Sequence, residues 1–317
     1  MWYRNFFTHS SKCFIQTFKM HLAKHLISLA FLQLASSAAV TCSNPPVRKE
    51  WRELSHQEKK EYLDALHCWT TLDSISGLDG AVNRFDDFQA AHSDQTPSIH
   101  WVGHFALWHR YFVASYEKAP GEECGYAGAQ PYWNWSLDAS TDIESTAIFE
   151  SDISMHATVL VLRHAGGGCL KRDFIPWTMN TFAQQSLVDH VQSQLDYTSF
   201  ARALENIPAF TEPNIHGSGH LVSLVFLGQL GTNMRVLVTP SSTFTTGNLD
   251  RILSEWQQQD LETRLHQVGG PIEPMDYSGA NVTLDFTVNI GALAGDATLE
   301  QLLDTRGDVL CYTYNTA

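Results

Sequence analysis

The chain has 317 residues with 20 Lys plus Arg against 34 Asp plus Glu, a formal net charge of −14. That balance opposes a phosphate polyanion, and with no basic cluster to offset it nucleic acid is excluded as a partner. Nine Trp, ten Tyr and seventeen Phe at only 17% charged residues exclude a disordered or coiled chain, and the length suffices for a sizeable core.

In chain order the first signal is LISLAFLQL, Leu26–Leu34, which follows His21, Lys24 and His25 and precedes ASSAAV. This is the layout of a secretory signal over residues 20–39, with cleavage near Ala38 or Ala39; a short buried helix is the competing reading. Residues 1–19 then form an upstream extension, and a secreted, extracellular protein is expected. No other segment is apolar and long enough to span a bilayer, so stable membrane insertion is not expected. Of six cysteines, Cys13 precedes the signal, and Cys42, Cys68, Cys124, Cys169 and Cys311 remain. In an oxidising compartment they fit two disulfides and one spare thiol, with the pairing open. Two sequons start at Asn134 and Asn281, the first inside PYWNW, where burial is expected.

Residues 40–317 read as one domain without repeats or linkers. At LSHQEKKEYLDALHCW, Ser55 with Glu58 makes a capping box, and Tyr62, Leu63 and Leu66 form an apolar stripe. A second helix is predicted from Phe105 to Lys118, stopped by Pro120 and Gly121. HAGGGC, His164–Cys169, reads as loop. NLDRILSEWQQQ, Asn248–Gln259, puts Leu249, Ile252, Leu253 and Trp256 on one face, with Arg251 and Glu255 paired on another. The tail after Gly269 alternates weakly in NVTLDFTVNI and suggests strands. The fold class is therefore mainly α, with a small β-containing C-terminal part.

Seven of fifteen histidines cluster: His92, His100, His104 and His109, then His216 and His220, with His67 upstream. The His216 and His220 pair is spaced i,i+4, which stacks two imidazoles on one helix face within reach of one metal. In IHWVGHFALWHRYF, Ile99–Phe112, the spacing is ambiguous. On one continuous helix His100 and His109 lie about 180° apart and cannot share an ion, whereas His100 and His104 can. If Gly103 interrupts the helix, His100 and His109 can converge instead. Spacing leaves both open.

The string from His92 to Trp135 resembles the copper A region of the fungal tyrosinase and catechol oxidase family. The match rests on histidines eight and nine apart, WHRYF, Tyr116 with Glu117, CGY at Cys124, and PYWNW. NIHGSGH resembles the first two histidines of the copper B region, NLDRILSEWQ resembles the helix after its third, and VLCYTY near Cys311 is a further echo. The resemblance implies a type 3 dicopper centre in an antiparallel four-helix bundle, with His92, His100 and His109 on copper A and His216 and His220 on copper B. His109, His216 and His220 would then be catalytic, and His104 a packing residue. Asp250 would orient a ligand imidazole, and Glu117 would join a buried polar network behind His109. The implied reaction oxidises an o-diphenol, a small phenolic substrate, to the o-quinone with dioxygen. Neutral imidazole suits both copper oxidation states.

The resemblance breaks where the family places its third copper B histidine, since Thr245 and Thr246 stand there and only Pro240 survives of the preceding segment. A threonine hydroxyl is a poor copper ligand, and His266, beyond the next helix, is the remaining candidate. Gly217 follows His216 where monophenol hydroxylases often carry Asn, which leans toward diphenol oxidation. Ala90 and Ser98 stand two residues before His92 and His100, so no thioether crosslink is expected. A degenerate member with an impaired copper B, mononuclear or non-catalytic, is the alternative expectation.

Overall fold

A computed structural model describes residues 42–142, 145–149, 176–222 and 240–315. The expected signal segment, Cys13, Cys169 and the HAGGGC loop lie outside these described residues. Residues 41–317 form one unit.

Helix α1, His56–Trp69, starts as the sequence dictates: the Ser55 hydroxyl accepts the Glu58 N–H at 3.3 Å, and the Glu58 carboxylate accepts the Ser55 N–H at 2.8 Å. Its Tyr62, Leu63, Leu66 and Trp69 are buried. Helix α2, Arg84–Ile99, is capped by Asn83, whose side chain accepts the Asp86 N–H. Helix α3, Phe105–Cys124, starts where expected but runs past Pro120 and Gly121. The expected stop is corrected because Gly125 ends the helix, at a φ of 72° that favours glycine, with its N–H returned to the Pro120 carbonyl. A Cys68–Cys124 disulfide holds that last turn to α1.

Four shorter helices follow: α4, Pro176–Phe182, α5, Gln185–Gln192, α6, Tyr197–Leu204, and α7, Ile215–Val222. Helix α8, Pro240–Gln258, begins eight residues before the predicted Asn248. Proline at a first helical position needs no N–H partner, and PSSTFTT lacks the apolar period that would have revealed the added turns. Leu249, Ile252, Leu253 and Trp256 are buried, and Arg251 pairs with Glu255 as expected. Helix α9 is a single turn, Leu261–Arg264.

Helix α3 packs on α1, α2 and α8, while α8 also packs on α5 and α7. This packing is the four-helix bundle of the expected mainly α class. The tail holds less strand than its alternation suggests: β2, Thr287–Val288, pairs antiparallel with β3, Ala297–Thr298, and the intervening 3-10 turn at Gly291–Leu293 interrupts it. A second pair is parallel, β1, Val47–Arg48, with β4, Thr313–Tyr314. Beside it Cys42–Cys311 joins the beginning and end of the described chain, so two disulfides form as expected.

Candidate metal centre

His92 sits mid-way along α2, which ends at Ile99 because His100 leaves the helix with φ −115° and ψ 149°. Trp101 follows at φ 59°, and Gly103 then passes against the tail, where a Cβ would lie 2.5 Å from the Gly269 carbonyl oxygen. The Gly103 N–H donates to Pro271 O at 2.7 Å, and its carbonyl accepts the Tyr197 hydroxyl at 3.1 Å. The loop is thereby fixed between α6 and the tail before α3 starts at Phe105. The ambiguity in the sequence resolves in favour of the interrupted helix. Ring centroids are 5.1 Å apart for His100 and His109, 5.4 Å for His92 and His100, and 5.3 Å for His92 and His109. One ligand nitrogen from each lies within 4.8 Å of the others, and all three rings are buried. His104 turns away: Nε2 faces the Ser98 carbonyl at 3.1 Å and the ring packs on Phe286.

Backbone carbonyls select the tautomers. His100 Nδ1 lies 2.9 Å from Thr96 O and His109 Nδ1 lies 2.8 Å from Phe105 O, so each donates Nδ1–H and keeps the Nε2 lone pair for a metal. His92 Nε2 is 3.2 Å from His109 Nε2. Burial favours the neutral ring, helped by neighbouring imidazoles, and holds His92 and His109 well below the usual histidine range and His100 at about 4. Three buried, neutral, convergent imidazoles fit one copper ion of either oxidation state.

The opposite wall comes from α6, α7 and α8. On α7 the His216 ring stacks on His100 at 5.2 Å and lies 6.4 Å from His109. His216 Nδ1 is 3.4 Å from Glu205 Oε1, while Glu205 Oε2 accepts the Trp101 N–H at 2.9 Å. Glu205 thus anchors the loop that carries His100 and lies beside α7. Burial raises its carboxyl to about 7, against the lowering by His100 and the Trp101 N–H. Sequence reasoning missed Glu205; the available signal was a lone acid closing the apolar face of YTSFARALE. His220 lies on α7 one turn after His216, and its side chain is outside the described atoms.

On α8, Thr245 and Thr246 are buried, and Thr246 lines a small cavity between α3 and α8 with Phe105, His109, Leu204, Arg110 and Asp250. Its hydroxyl donates to Ser242 O at 3.0 Å. His266 is exposed beyond α9 and does not replace the threonines. The expected role of Asp250 is corrected: its carboxylate receives Arg110, Arg48, Tyr312 and Tyr314, and no imidazole among the described residues. Those cations and phenols reach it first because β1 and β4 close over this part of α8. Glu117 belongs to the same network, accepting from Arg48 and from the Gln130 N–H.

The family described as "Common central domain of tyrosinase" matches residues 82–165, which begin just before α2 and include α3. "Tyrosinase P" of Aspergillus terreus is 27% identical over 340 residues, covering 87% of this chain and 94% of that protein. An "N-acetyl-6-hydroxytryptophan oxidase" of Emericella nidulans is 25% identical over 370 residues, covering 93% of this chain and all of that protein. A polyphenol oxidase from Thermothelomyces thermophila, solved as a point mutant, shares the fold at a TM-score of 0.74 and 23% identity, over 86% of this chain and 89% of that one.

Proposed function

Because the chain belongs to the tyrosinase family, we propose that it is a secreted copper oxidoreductase that converts o-diphenols to o-quinones with dioxygen. One observation carries this reading: three buried neutral imidazoles from α2, the following loop and α3 converge, with a fourth from α7 stacked beside them. Bound copper would supply electron exchange between the phenol and dioxygen. His92, His100 and His109 would hold it, with His216 and His220 on the facing wall.

The chain's own groups prepare that chemistry. Thr96 O and Phe105 O fix two imidazole tautomers, so no proton has to be removed from either coordinating Nε2. Glu205 fixes the His100 loop through the Trp101 N–H and lies 3.4 Å from His216 Nδ1. Gly217, whose N–H donates to Asn214 Oδ1 at 2.7 Å, offers no side chain to take a proton from a monophenol, which supports a diphenol substrate. The Cys42–Cys311 and Cys68–Cys124 disulfides suit an oxidising compartment and support secretion. The test is oxygen uptake with catechol by the copper-loaded chain. Activity abolished in His109→Ala supports the reading, and undiminished activity contradicts it.

A further inference from the structure

The two walls of the centre are unequal. The α2 and α3 wall brings three imidazoles to one point. Facing it, α7 carries two histidines, and α8 presents Thr246 to the cavity beside His109. That hydroxyl has its proton committed to Ser242 O, and a neutral hydroxyl is a weak donor to copper beside imidazole. The sequence has no histidine between His220 and His266. Among the described residues, His56, His67, His190 and His266 are exposed and cannot enter a buried site, while His156 and His164 lie outside the described residues.

We propose that this chain holds one copper ion, on His92, His100 and His109, and that Thr246 on α8 denies the facing wall, as its described residues form it, the third imidazole a second ion requires. The proposal rests on the reading of the chain as a copper protein and fixes the stoichiometry of that site. His216 remains part of the wall, stacked on His100 with its Nδ1 3.4 Å from Glu205 Oε1. It borders the ion's site without completing another. Even outer contacts of a ligand set are worth on the order of 10 to 100-fold in metal affinity, and a missing coordinating imidazole costs more.

The experiment is copper analysis of the purified, copper-loaded chain together with its electron paramagnetic resonance spectrum. The expected result is about one copper per chain, with a Cu(II) signal that accounts for all of it, because a lone ion has no neighbour to couple with. About two coppers per chain with most of the signal silent would overturn the proposal and leave the proposed function standing. No bound copper would remove both. Thr246→His then tests the cause. Restoring the imidazole should raise the ratio to about two and suppress the signal, and a folded variant that still holds about one would refute the role given to Thr246. The wild-type ratio decides the stoichiometry if that variant fails to fold.

Discussion

His109 and Arg110 are neighbours on α3, yet they face two buried polar clusters of opposite character. His109 joins neutral rings whose Nε2 atoms approach one another without a charged partner, as in the 3.2 Å contact with His92. Arg110 joins an ionic cluster in which Asp250 receives two guanidiniums and two phenols, and the Arg48 guanidinium lies 3.4 Å over the Tyr312 ring. Burial alone would raise Asp250, but Arg110 and Arg48 outweigh it and hold the carboxyl below the usual carboxylate range. The contrast separates structure from function by physical criteria. A buried cluster whose charges pair with one another locks helices together, whereas one that leaves convergent lone pairs is prepared for a ligand.

Breaking the ionic cluster should have the largest effect on stability. Asp250→Ala takes from buried Arg110 its carboxylate and leaves Arg48 only the Glu117 carboxylate, and should cost about 3–5 kcal/mol in urea unfolding, while the fraction that folds still binds copper. Equal loss of copper affinity in the folded fraction would erase the distinction between the clusters.

Acid should separate the two ends next. Burial lowers His104 to about 4, against its Ser98 contact, so between its unfolded value near 6.5 and about 4 the unfolded chain binds more protons than the folded one. Stability from this group is full above pH ~6.5 and falls as pH drops through that window, by on the order of 3 kcal/mol. Asp250, depressed in the fold, keeps its contribution until pH falls below the ordinary carboxylate range. Metal-free His104→Asn should therefore show a shallower decline in unfolding free energy between pH 6.5 and 4 than the metal-free wild type. Parallel curves would contradict this.

Smaller effects test how the site is positioned. Gly103→Ala forces the His100 loop away from Gly269 and should cost about 1–3 kcal/mol and weaken copper binding, measured by unfolding and metal titration. Ser55→Ala removes one exposed helix cap that bonds to neither cluster, and should cost about 1 kcal/mol with copper affinity unchanged.

What the sequence made legible follows the same division between local and distant causes. The Ser55 and Glu58 box and the stripe on Leu249, Ile252, Leu253 and Trp256 are local patterns, and both appear in the fold. The run of α3 through Pro120 was not legible, because its last turn is secured by Gly125 and by a disulfide to Cys68. Spacing could not choose between His104 and His109, since the choice is made by a tail that pins Gly103 from more than 160 residues away. The resemblance to the family supplied that choice. Glu205 and the partners of Asp250 escaped notice because they are remote in sequence, and a lone charge has no periodicity to betray it.

The most direct test of the convergent centre compares copper content in folded His109→Ala and folded His104→Ala. The account predicts that the first loses its copper and the second retains it. Retention by His109→Ala with loss from His104→Ala would contradict the assignment of the three converging rings.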